Sequence, residues 1–226
     1  MGKLIVIEGL DGAGKTTQIN LIKKYLNEKK LSFEFFHFPM YGHNEFSEVI
    51  SKFLRGEFGG VDEVNPLFIA TQYAMDRYMF LPELKNALSK NDIVLLDRYV
   101  YSNVAFQCAK VKNNSHIIRN WIENFEFEFL KLPRPDLNIF IDIPLDVIEE
   151  RLGNKREGDD RNYLQGKKDI HESSMDFQKR VRDEYLNIFG NFFKINGEIL
   201  FENNTREILS PEDLFKSYLS HIENIL

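Results

Sequence analysis

The sequence has a single cysteine and a single tryptophan, and its five histidines are scattered along 226 residues. One thiol, Cys108, cannot close an internal disulfide, and neither it nor the histidines show the spacing of a zinc site. No segment approaches the ~20 consecutive apolar residues that span a bilayer, and the N-terminal apolar run is too short for a signal peptide. We therefore expect a cytoplasmic protein without disulfides, a metal framework or a membrane-spanning segment.

Positive charge is in short supply as well. The chain carries 29 lysines and arginines against 35 aspartates and glutamates, a net charge of −6. No overall positive field draws it to nucleic acid or to an anionic membrane, and we expect neither as a partner. A phosphorylated ligand therefore has to be bound by a local cluster of charges.

Short apolar runs alternate with helical patterns along the chain. The predicted strands are Lys3–Glu8, Phe33–Phe38, Ile93–Leu96, Leu137–Ile143 and a weaker Ile199–Glu202. The predicted helices are Lys15–Lys29, Glu45–Arg55, Asn65–Ser89 with a potential kink at Pro82, Tyr99–Ala109, Ser115–Phe129, Leu145–Leu152, Glu172–Phe189 and Pro211–Leu226. Because the strands are apolar throughout, this order predicts an α/β fold with one parallel sheet of roughly five strands and helices on both faces. No repeat or linker divides the chain, so we expect residues 1–226 to form a single domain.

The segment Gly153–Lys168, "GNKREGDDRNYLQGKK", breaks this pattern. It is polar, charged and glycine-containing, which is typical of a mobile surface loop. Its positive residues are Lys155, Arg156, Arg161, Lys167 and Lys168. Considered by themselves, these charges indicate a solvated loop.

A glycine-rich loop follows the first predicted strand. Residues 9–16 read "GLDGAGKT" and match G-x-x-x-x-G-K-[ST] in full, between a buried strand and a helix. Glycines let successive backbone N–H groups turn inward around phosphate oxygens, while Lys15 would reach the β- and γ-phosphates and Thr16 would contact Mg²⁺. The predicted ATP-binding residues are Gly9, Leu10, Asp11, Gly12, Ala13, Gly14, Lys15, Thr16 and Thr17. The motif predicts binding of ATP or GTP and leaves the reaction open.

A second acidic residue, Asp97, ends the predicted strand in "IVLLDRY". Ligands gather at the carboxyl ends of parallel strands, so Asp97 is a candidate for holding Mg²⁺, directly or through water, with a helix N-cap as the alternative use. The planar fork of Arg98 is suited to bridging two phosphate groups. Arg77 and Arg55 are further candidates, although each of them, taken alone, is better explained as a solvated or salt-bridged surface arginine.

The phosphate loop leaves several functions open. The chain lacks the guanine-reading N-K-x-D motif of switch GTPases, and no glutamine-bearing D-x-x-G follows the second acidic strand, which favours a small-molecule kinase. Its acceptor is then a nucleotide or a deoxynucleoside, and the residues of the acceptor pocket decide which. A regulatory protein that hydrolyses ATP slowly would need an interaction surface or an extra domain, for which 226 residues leave little room.

Six segments of the chain resemble the thymidylate kinase family, within the nucleoside monophosphate kinases. They are "IVIEGLDGAGKTTQ", "FFHFP", "TQYAMDRY", "VLLDRYVYSNVAFQ", "RPDLNIFIDIP" and "DIHESSMDFQKRVRDEYL". The resemblance extends over nearly the whole chain and implies a three-layer α/β/α P-loop kinase that acts as a homodimer. It implies an acceptor-nucleotide region at about residues 37–80 and a lid at about residues 153–171. The implied reaction converts ATP and dTMP to ADP and dTDP with Mg²⁺.

The same resemblance implies roles for individual residues. Asp11 would face the acceptor nucleotide, Tyr73 would stack on the thymine ring, and Arg77 would hydrogen-bond the base. Arg98 would bridge the donor and acceptor phosphates, with Arg55 as a further acceptor-phosphate arginine. The other residues implied in the dTMP pocket are Phe38, Pro39, Ser102, Phe106 and Gln107.

Two positions depart from the family pattern. Relatives commonly carry an arginine two residues before the proline that ends the second strand, where this chain has His37. Either another arginine contacts that phosphate, or dTMP affinity depends on protonation of His37. Some relatives carry an arginine directly after the loop acid, where this chain has Gly12, and in relatives without it the lid supplies the catalytic arginine. The implied catalytic residues are Lys15, Arg98 and Asp11, together with Arg156 or Arg161 from the lid.

Overall fold

The fold is described from a computed structural model of the chain. It describes residues 1–153, 159–167, 169–172, 174–201 and 205–226, and for residues 159–161 it describes the backbone. None of the helices in these ranges has the length and apolar character needed to cross a lipid bilayer.

A parallel sheet forms the centre of the molecule. Its strands are β1 (Lys3–Gly9), β2 (Phe33–His37), β3 (Ile93–Asp97), β4 (Leu137–Asp142) and β5 (Phe192–Asn196). They are ordered β2-β3-β1-β4-β5, and β1, β3 and β4 are buried over nearly their whole length. A separate antiparallel hairpin joins β6 (Glu198–Leu200) to β7 (Arg206–Ile208). The parallel α/β prediction is confirmed.

Helices cover both faces of this sheet. They are α1 (Lys15–Glu28), α2 (Glu45–Leu54), α3 (Pro66–Met79), α4 (Leu81–Lys90), α5 (Val100–Cys108), α6 (Ser115–Glu123), α7 (Leu145–Gly153), α8 (Met175–Leu186) and α9 (Pro211–Glu223). Side chains alternate along β1, so Ile5 and Ile7 pack in one core cluster with α1, α8 and α9. Leu4 and Val6 point the other way, into a second cluster with α4 and α5.

Two predicted elements are wrong because of local chain geometry. The single helix expected over Asn65–Ser89 is two helices, α3 and α4, which meet at Phe80. Pro82 lies in the first turn of α4, where its missing N–H leaves no helical hydrogen bond unmade. The strand expected at Ile199–Glu202 is instead the short β6, and it does not join the main sheet.

The fifth strand of the sheet, β5, was not predicted from the sequence, and Lys194 interrupts its apolar residues. Edge strands are exposed along part of their length, and in β5 exposed and partly exposed residues separate the buried Phe192 and Ile195.

The helix predicted to continue to Phe129 passes at Asn124 into a π-helical turn, Asn124–Phe129. Within the segment predicted as a solvated loop, Asp159–Leu164 forms a 3₁₀ helix and Leu164 is buried.

The register of the strands brings the loops after β1, β2 and β3 together at the carboxyl end of the sheet. Ile7 on β1 lies opposite Asp97 on β3 and opposite Ile139 on β4, and His37 at the end of β2 also lies opposite Asp97. The glycine-rich loop after β1 therefore begins beside the ends of β2 and β3. In a parallel sheet, ligands bind at the carboxyl ends of the strands.

Candidate active site

The loop between β1 and α1 curls around the side chain of its own lysine. Gly12 and Gly14 have φ angles of 82° and 85°, a left-handed conformation that a side chain makes costly. A Cβ on Gly9 would lie 3.2 Å from Ala13 Cβ and from the Ile141 carbonyl oxygen. Within this curl Lys15 Nζ donates to the carbonyl oxygen of Leu10 at 3.0 Å. The ammonium is thus held inside the loop, where a phosphate group would be surrounded.

The loop opens into a cavity of about 480 Å³. Many residues predicted from the sequence line it: Asp11, Gly12, Ala13, Gly14, Lys15, Thr16, Thr17, Phe38, Pro39, Tyr73, Arg77, Asp97, Arg98, Ser102, Phe106 and Gln107. Gly9 and Leu10 shape the loop without lining the cavity. The cavity therefore extends from the phosphate loop to a pocket walled by aromatic and amide side chains.

Arg98 lines this cavity and contacts both the phosphate loop and α5. Its backbone is left-handed, with φ 66°, which is uncommon for a residue that carries a Cβ and recurs at functional sites. The guanidinium donates to Asp11 Oδ1 at 2.7 Å and to Ser102 Oγ at 3.0 Å. The contact with Asp11 joins the phosphate loop to the β3–α5 corner.

A buried carboxylate that sequence reasoning missed supports this corner. Glu8 is fully buried, and its carboxylate accepts hydrogen bonds from the backbone N–H groups of Tyr99 and Ser102 and from the hydroxyl groups of Ser102 and Tyr185. Burial raises the pKa of Glu8, whereas the Ser102 hydroxyl and the charge of Arg98 oppose that rise. In the sequence, Glu8 is the single acidic residue of the apolar run "LIVIEG".

Asp97 has the geometry of a cation ligand. His37 Nδ1 lies 3.3 Å from its Oδ2, and the buried Oδ1 makes no hydrogen bond to any residue that the structure describes. Burial tends to raise the pKa of Asp97, but His37 and the charges of Lys15 and Arg98 hold it below its usual value, so the carboxylate is ionised. Mg²⁺ is commonly held by one or two protein oxygens together with phosphate oxygens and water. The ionised Oδ1, with Thr16 in the same cavity wall, fits such an ion.

At its far end the cavity is lined by side chains suited to a planar ring. Tyr73 of α3 and Phe106 of α5 supply aromatic surface. Gln107 is fully buried, and neither polar atom of its amide has a hydrogen-bond partner among the described residues. Asn103, which the sequence did not indicate, lines the same wall with its Oδ1 also lacking a partner there. Buried amides in this state are suited to a ligand that completes their hydrogen bonds.

Arg55, expected to contact the acceptor phosphate, is not among the described residues that line this cavity. Its guanidinium donates to Glu57 Oε1 at 2.8 Å and to the carbonyl oxygen of Tyr163 at 2.7 Å, with Glu48 at 3.5 Å. These contacts hold the Arg55 side chain between α2 and the 3₁₀ helix.

The 3₁₀ helix closes one side of the cavity. Tyr163 stacks on Tyr41 with ring centroids 3.9 Å apart, and its hydroxyl donates to Asp169 Oδ2 at 2.9 Å. Burial, with the charge of Asp11 adding to it, raises the pKa of Asp169 to about 7. Burial lowers the pKa of the neighbouring His171 well below its usual value, which leaves that imidazole neutral. Asp169 and His171 both line the cavity and were not predicted.

The two lid arginines expected from the sequence cannot be located in this geometry. Arg156 lies outside the described residues, as does the side chain of Arg161. Of the predicted lid, residues 153, 159–167 and 169–171 are described.

Comparison with known proteins relates this site to one family. A family model described as thymidylate kinase matches residues 7–208. A thymidylate kinase of Legionella pneumophila is 32% identical over 228 residues, covering 100% of this chain and 96% of the relative. One of Mycobacterium tuberculosis is 29% identical over 187 residues, covering 82% and 85%. A solved thymidylate kinase structure from Candida albicans has a TM-score of 0.69 at 22% identity, covering 99% of this chain and 92% of that one, a likeness of fold.

The raised pKa of Asp169 predicts a pH-dependent stability. Between the ordinary carboxyl pKa and about 7 the folded protein binds the proton more tightly than the unfolded chain does, so stability decreases as pH rises. We expect the free energy of unfolding, measured with urea at about pH 5 and about pH 8, to fall more in the wild type than in Asp169→Asn. The interval from about pH 5 to the folded-state pKa of about 7 covers about two pH units, so at about 1.4 kcal/mol for each unit the difference is at most about 3 kcal/mol.

An exposed aspartate provides the control for this measurement. Asp92 accepts hydrogen bonds from Ser32, which lower its pKa, so Asp92→Asn should keep the wild-type pH dependence above about pH 5. Equal pH dependence of the wild type and Asp169→Asn would contradict the assignment.

Proposed function

The chain belongs to the thymidylate kinase family, and we propose that it transfers the γ-phosphoryl group of ATP to dTMP, giving ADP and dTDP. One observation carries this proposal. A single cavity joins the phosphate loop to a pocket for a planar base, and Arg98 lies between the two. A protein that only bound or hydrolysed ATP would have no use for the second pocket.

The donor end of the cavity is proposed to bind the triphosphate. The inward-turned N–H groups of residues 9–17 and the positive end of α1 would bind the phosphate oxygens. Lys15 supplies a positive charge there, and Thr16 and Asp97 Oδ1 would hold Mg²⁺. When bound, Mg²⁺ supplies charge neutralisation for the phosphate groups.

The acceptor end is proposed to bind dTMP between α3 and α5. Tyr73 and Phe106 would contact the faces of the thymine ring, while Arg77, Asn103 and Gln107 offer polar atoms to its edge. Phe38, Pro39 and Ser102 complete the wall. Four of these eight residues, Phe38, Pro39, Tyr73 and Arg77, lie in the proposed acceptor region at about residues 37–80, and we propose one domain that spans residues 1–226.

The chain's own residues catalyse transfer chiefly by orientation and charge. The transferring group spreads negative charge over its oxygens, and fixed cations stabilise that charge without reorganisation. Arg98 is proposed to bridge donor and acceptor phosphates, with Asp11 orienting its guanidinium toward the acceptor. The acceptor phosphate is largely ionised near neutral pH, since its second pKa is about 6, so no strong general base is needed.

Three further parts of the proposal rest on the family relationship. Arg156 or Arg161 would complete the catalytic charges when a lid at about residues 153–171 excludes water. The chain would act as a homodimer, and it would work in the cytoplasm, where both nucleotide substrates are found. The contact of His37 with Asp97 favours another arginine as the ligand of the dTMP phosphate.

An assay of ADP release with a panel of monophosphates tests the proposed reaction. We expect rapid ADP formation with ATP and dTMP, slower formation with dUMP, and little with dCMP, AMP or GMP. Product analysis should identify dTDP. Slow ADP release that is the same with and without any monophosphate would instead indicate an ATPase.

The proposed Mg²⁺ site predicts a specific defect in Asp97→Asn. Removing the charge of this carboxylate should raise the Mg²⁺ concentration needed for half-maximal activity by about tenfold or more, because a hard cation prefers ionised oxygen ligands. The measurement is a Mg²⁺ titration at saturating ATP and dTMP. Asp92→Asn makes the same change at the opposite end of β3 and should keep the wild-type requirement. An unchanged requirement in Asp97→Asn would exclude Asp97 from the site.

A further inference from the structure

Glu126 does not line the cavity, but it binds two of the side chains that do. It belongs to the π-helical turn after α6, and its carboxylate is fully buried. Oε2 accepts a hydrogen bond from Arg77 Nε at 2.6 Å, and Oε1 accepts one from Arg77 Nη2 at 2.7 Å. Oε1 also accepts a hydrogen bond from Asn103 Nδ2 at 2.8 Å. One carboxylate therefore fixes an arginine of α3 and an amide of α5. Turns of this kind recur at functional sites.

The hydrogen bonds of Asn103 determine which way its amide faces. Its Nδ2 donates to Glu126 Oε1 and, at 3.0 Å, to the carbonyl oxygen of Ala70. Both partners are acceptors, so a reversed amide would place Oδ1 against two oxygen atoms. With the nitrogen committed, Oδ1 is the atom left without a partner in the described part of the chain, and the residue lines the cavity. Asn103 thus presents a hydrogen-bond acceptor.

The adjacent Arg77 presents donors. Its guanidinium is almost completely buried, and such a charge is tolerated only with a close partner, here Glu126. The ion pair with Glu126 uses Nε and Nη2 of Arg77. The third nitrogen, Nη1, is outside the ion pair, and Arg77 lines the same cavity as Asn103. Because Arg77 Nη2 and Asn103 Nδ2 share Glu126 Oε1, the guanidinium and the amide are neighbours.

We propose that Glu126 is a positioning residue that sets the base specificity of the acceptor pocket. It holds Asn103 with its oxygen, and Arg77 with an N–H group, toward the base. A thymine or uracil ring offers the complementary pair, an N3–H donor next to the O4 acceptor. Cytosine offers the reverse, an N3 acceptor next to an N4 amino donor, so both contacts would become repulsive. This inference rests on the proposed function, because it concerns the pocket that receives the monophosphate.

In this proposal the acceptor pocket distinguishes the bases by hydrogen bonding. A site built to hydrogen-bond a substrate N–H group rejects an analogue without it much more strongly than an apolar pocket rejects a missing methyl group. The wild type should therefore separate dTMP from dCMP far more than it separates dTMP from dUMP, which has the same polar edge.

Glu126→Gln tests the positioning role with little change of shape. A glutamine presents an N–H group to one of its two partners, so it weakens the hold on Arg77 or allows the Asn103 amide to reverse. We expect the ratio of kcat/KM for dTMP over dCMP to fall by at least about tenfold, the size of one charge-assisted hydrogen bond. The loss should lie mainly in KM for dTMP, with KM for ATP unchanged. Glu126→Asp, which keeps the charge, should retain more of the preference.

Glu128→Gln is the matched control on the same π-helical turn. Glu128 is exposed and pairs with Arg134 at 2.7 Å, away from the cavity, so this variant should keep the wild-type preference. A merely structural role of Glu126 would lower kcat/KM for dTMP and dCMP equally in Glu126→Gln, and that result would overturn the inference. If the wild type uses dTMP and this ratio is unchanged, the positioning role fails while the proposed function stands. Absence of dTMP phosphorylation by the wild type would reject the function itself.

A second measurement needs no variant and tests the premise that the amide of Asn103 is held as an acceptor, so the inference can be refuted even if Glu126→Gln does not fold. A dTMP analogue methylated at N3 lacks the donor that the fixed Asn103 oxygen accepts. We expect the wild type to use it at least about tenfold less efficiently than dTMP. Equal use of the two compounds would show that the amide is not held as an acceptor, and the inference would be wrong.

Discussion

The buried carboxylate of Glu8 is the constraint on which the candidate site depends. It accepts hydrogen bonds from the N–H groups of Tyr99 and Ser102, in the first turn of α5, where the helix itself offers no acceptor. The positive end of α5 and the charge of Arg98 offset the cost of burying this acid. With Glu8 in place, β3 turns directly into α5 at Arg98, whose left-handed backbone directs the guanidinium to Asp11. Glu8, near the end of β1, thereby fixes the position of Arg98, which follows the neighbouring strand β3.

A protein of net charge −6 can bind polyphosphates here because its positive charges are concentrated. Lys15 and Arg98 line the same cavity, each held by oxygen atoms of the protein until a ligand's oxygen atoms compete for them. Acids share the wall: Asp97 is ionised beside the phosphate loop, while burial keeps Asp169 protonated up to about pH 7. Asp97 is therefore suited to binding a cation, whereas the protonated Asp169 is suited to hydrogen bonding.

Local sequence patterns predicted the phosphate loop, Asp97 and Arg98, because each depends on a few neighbouring residues and on the end of an apolar strand. Contacts between distant segments were not predictable in this way. Glu126 and Arg77 form their ion pair across 49 positions, and nothing beside either residue indicates the other. For Arg55 the family position implies a phosphate contact, which stays a prediction, and in the structure its guanidinium pairs with Glu48 and Glu57. The edge strand β5 was missed because Lys194 interrupts its short run of apolar residues.

The central claim is that Arg98 stabilises the transferring phosphoryl group from its place between the two halves of the cavity. The most direct test compares Arg98→Ala with Arg134→Ala, an exposed arginine away from the site, in kcat for dTMP phosphorylation and in calorimetric affinity for ATP. The account predicts that Arg98→Ala lowers kcat by a factor of about 10²–10³ while ATP still binds, and that Arg134→Ala behaves like the wild type. A near-normal kcat in a folded Arg98→Ala protein would contradict it.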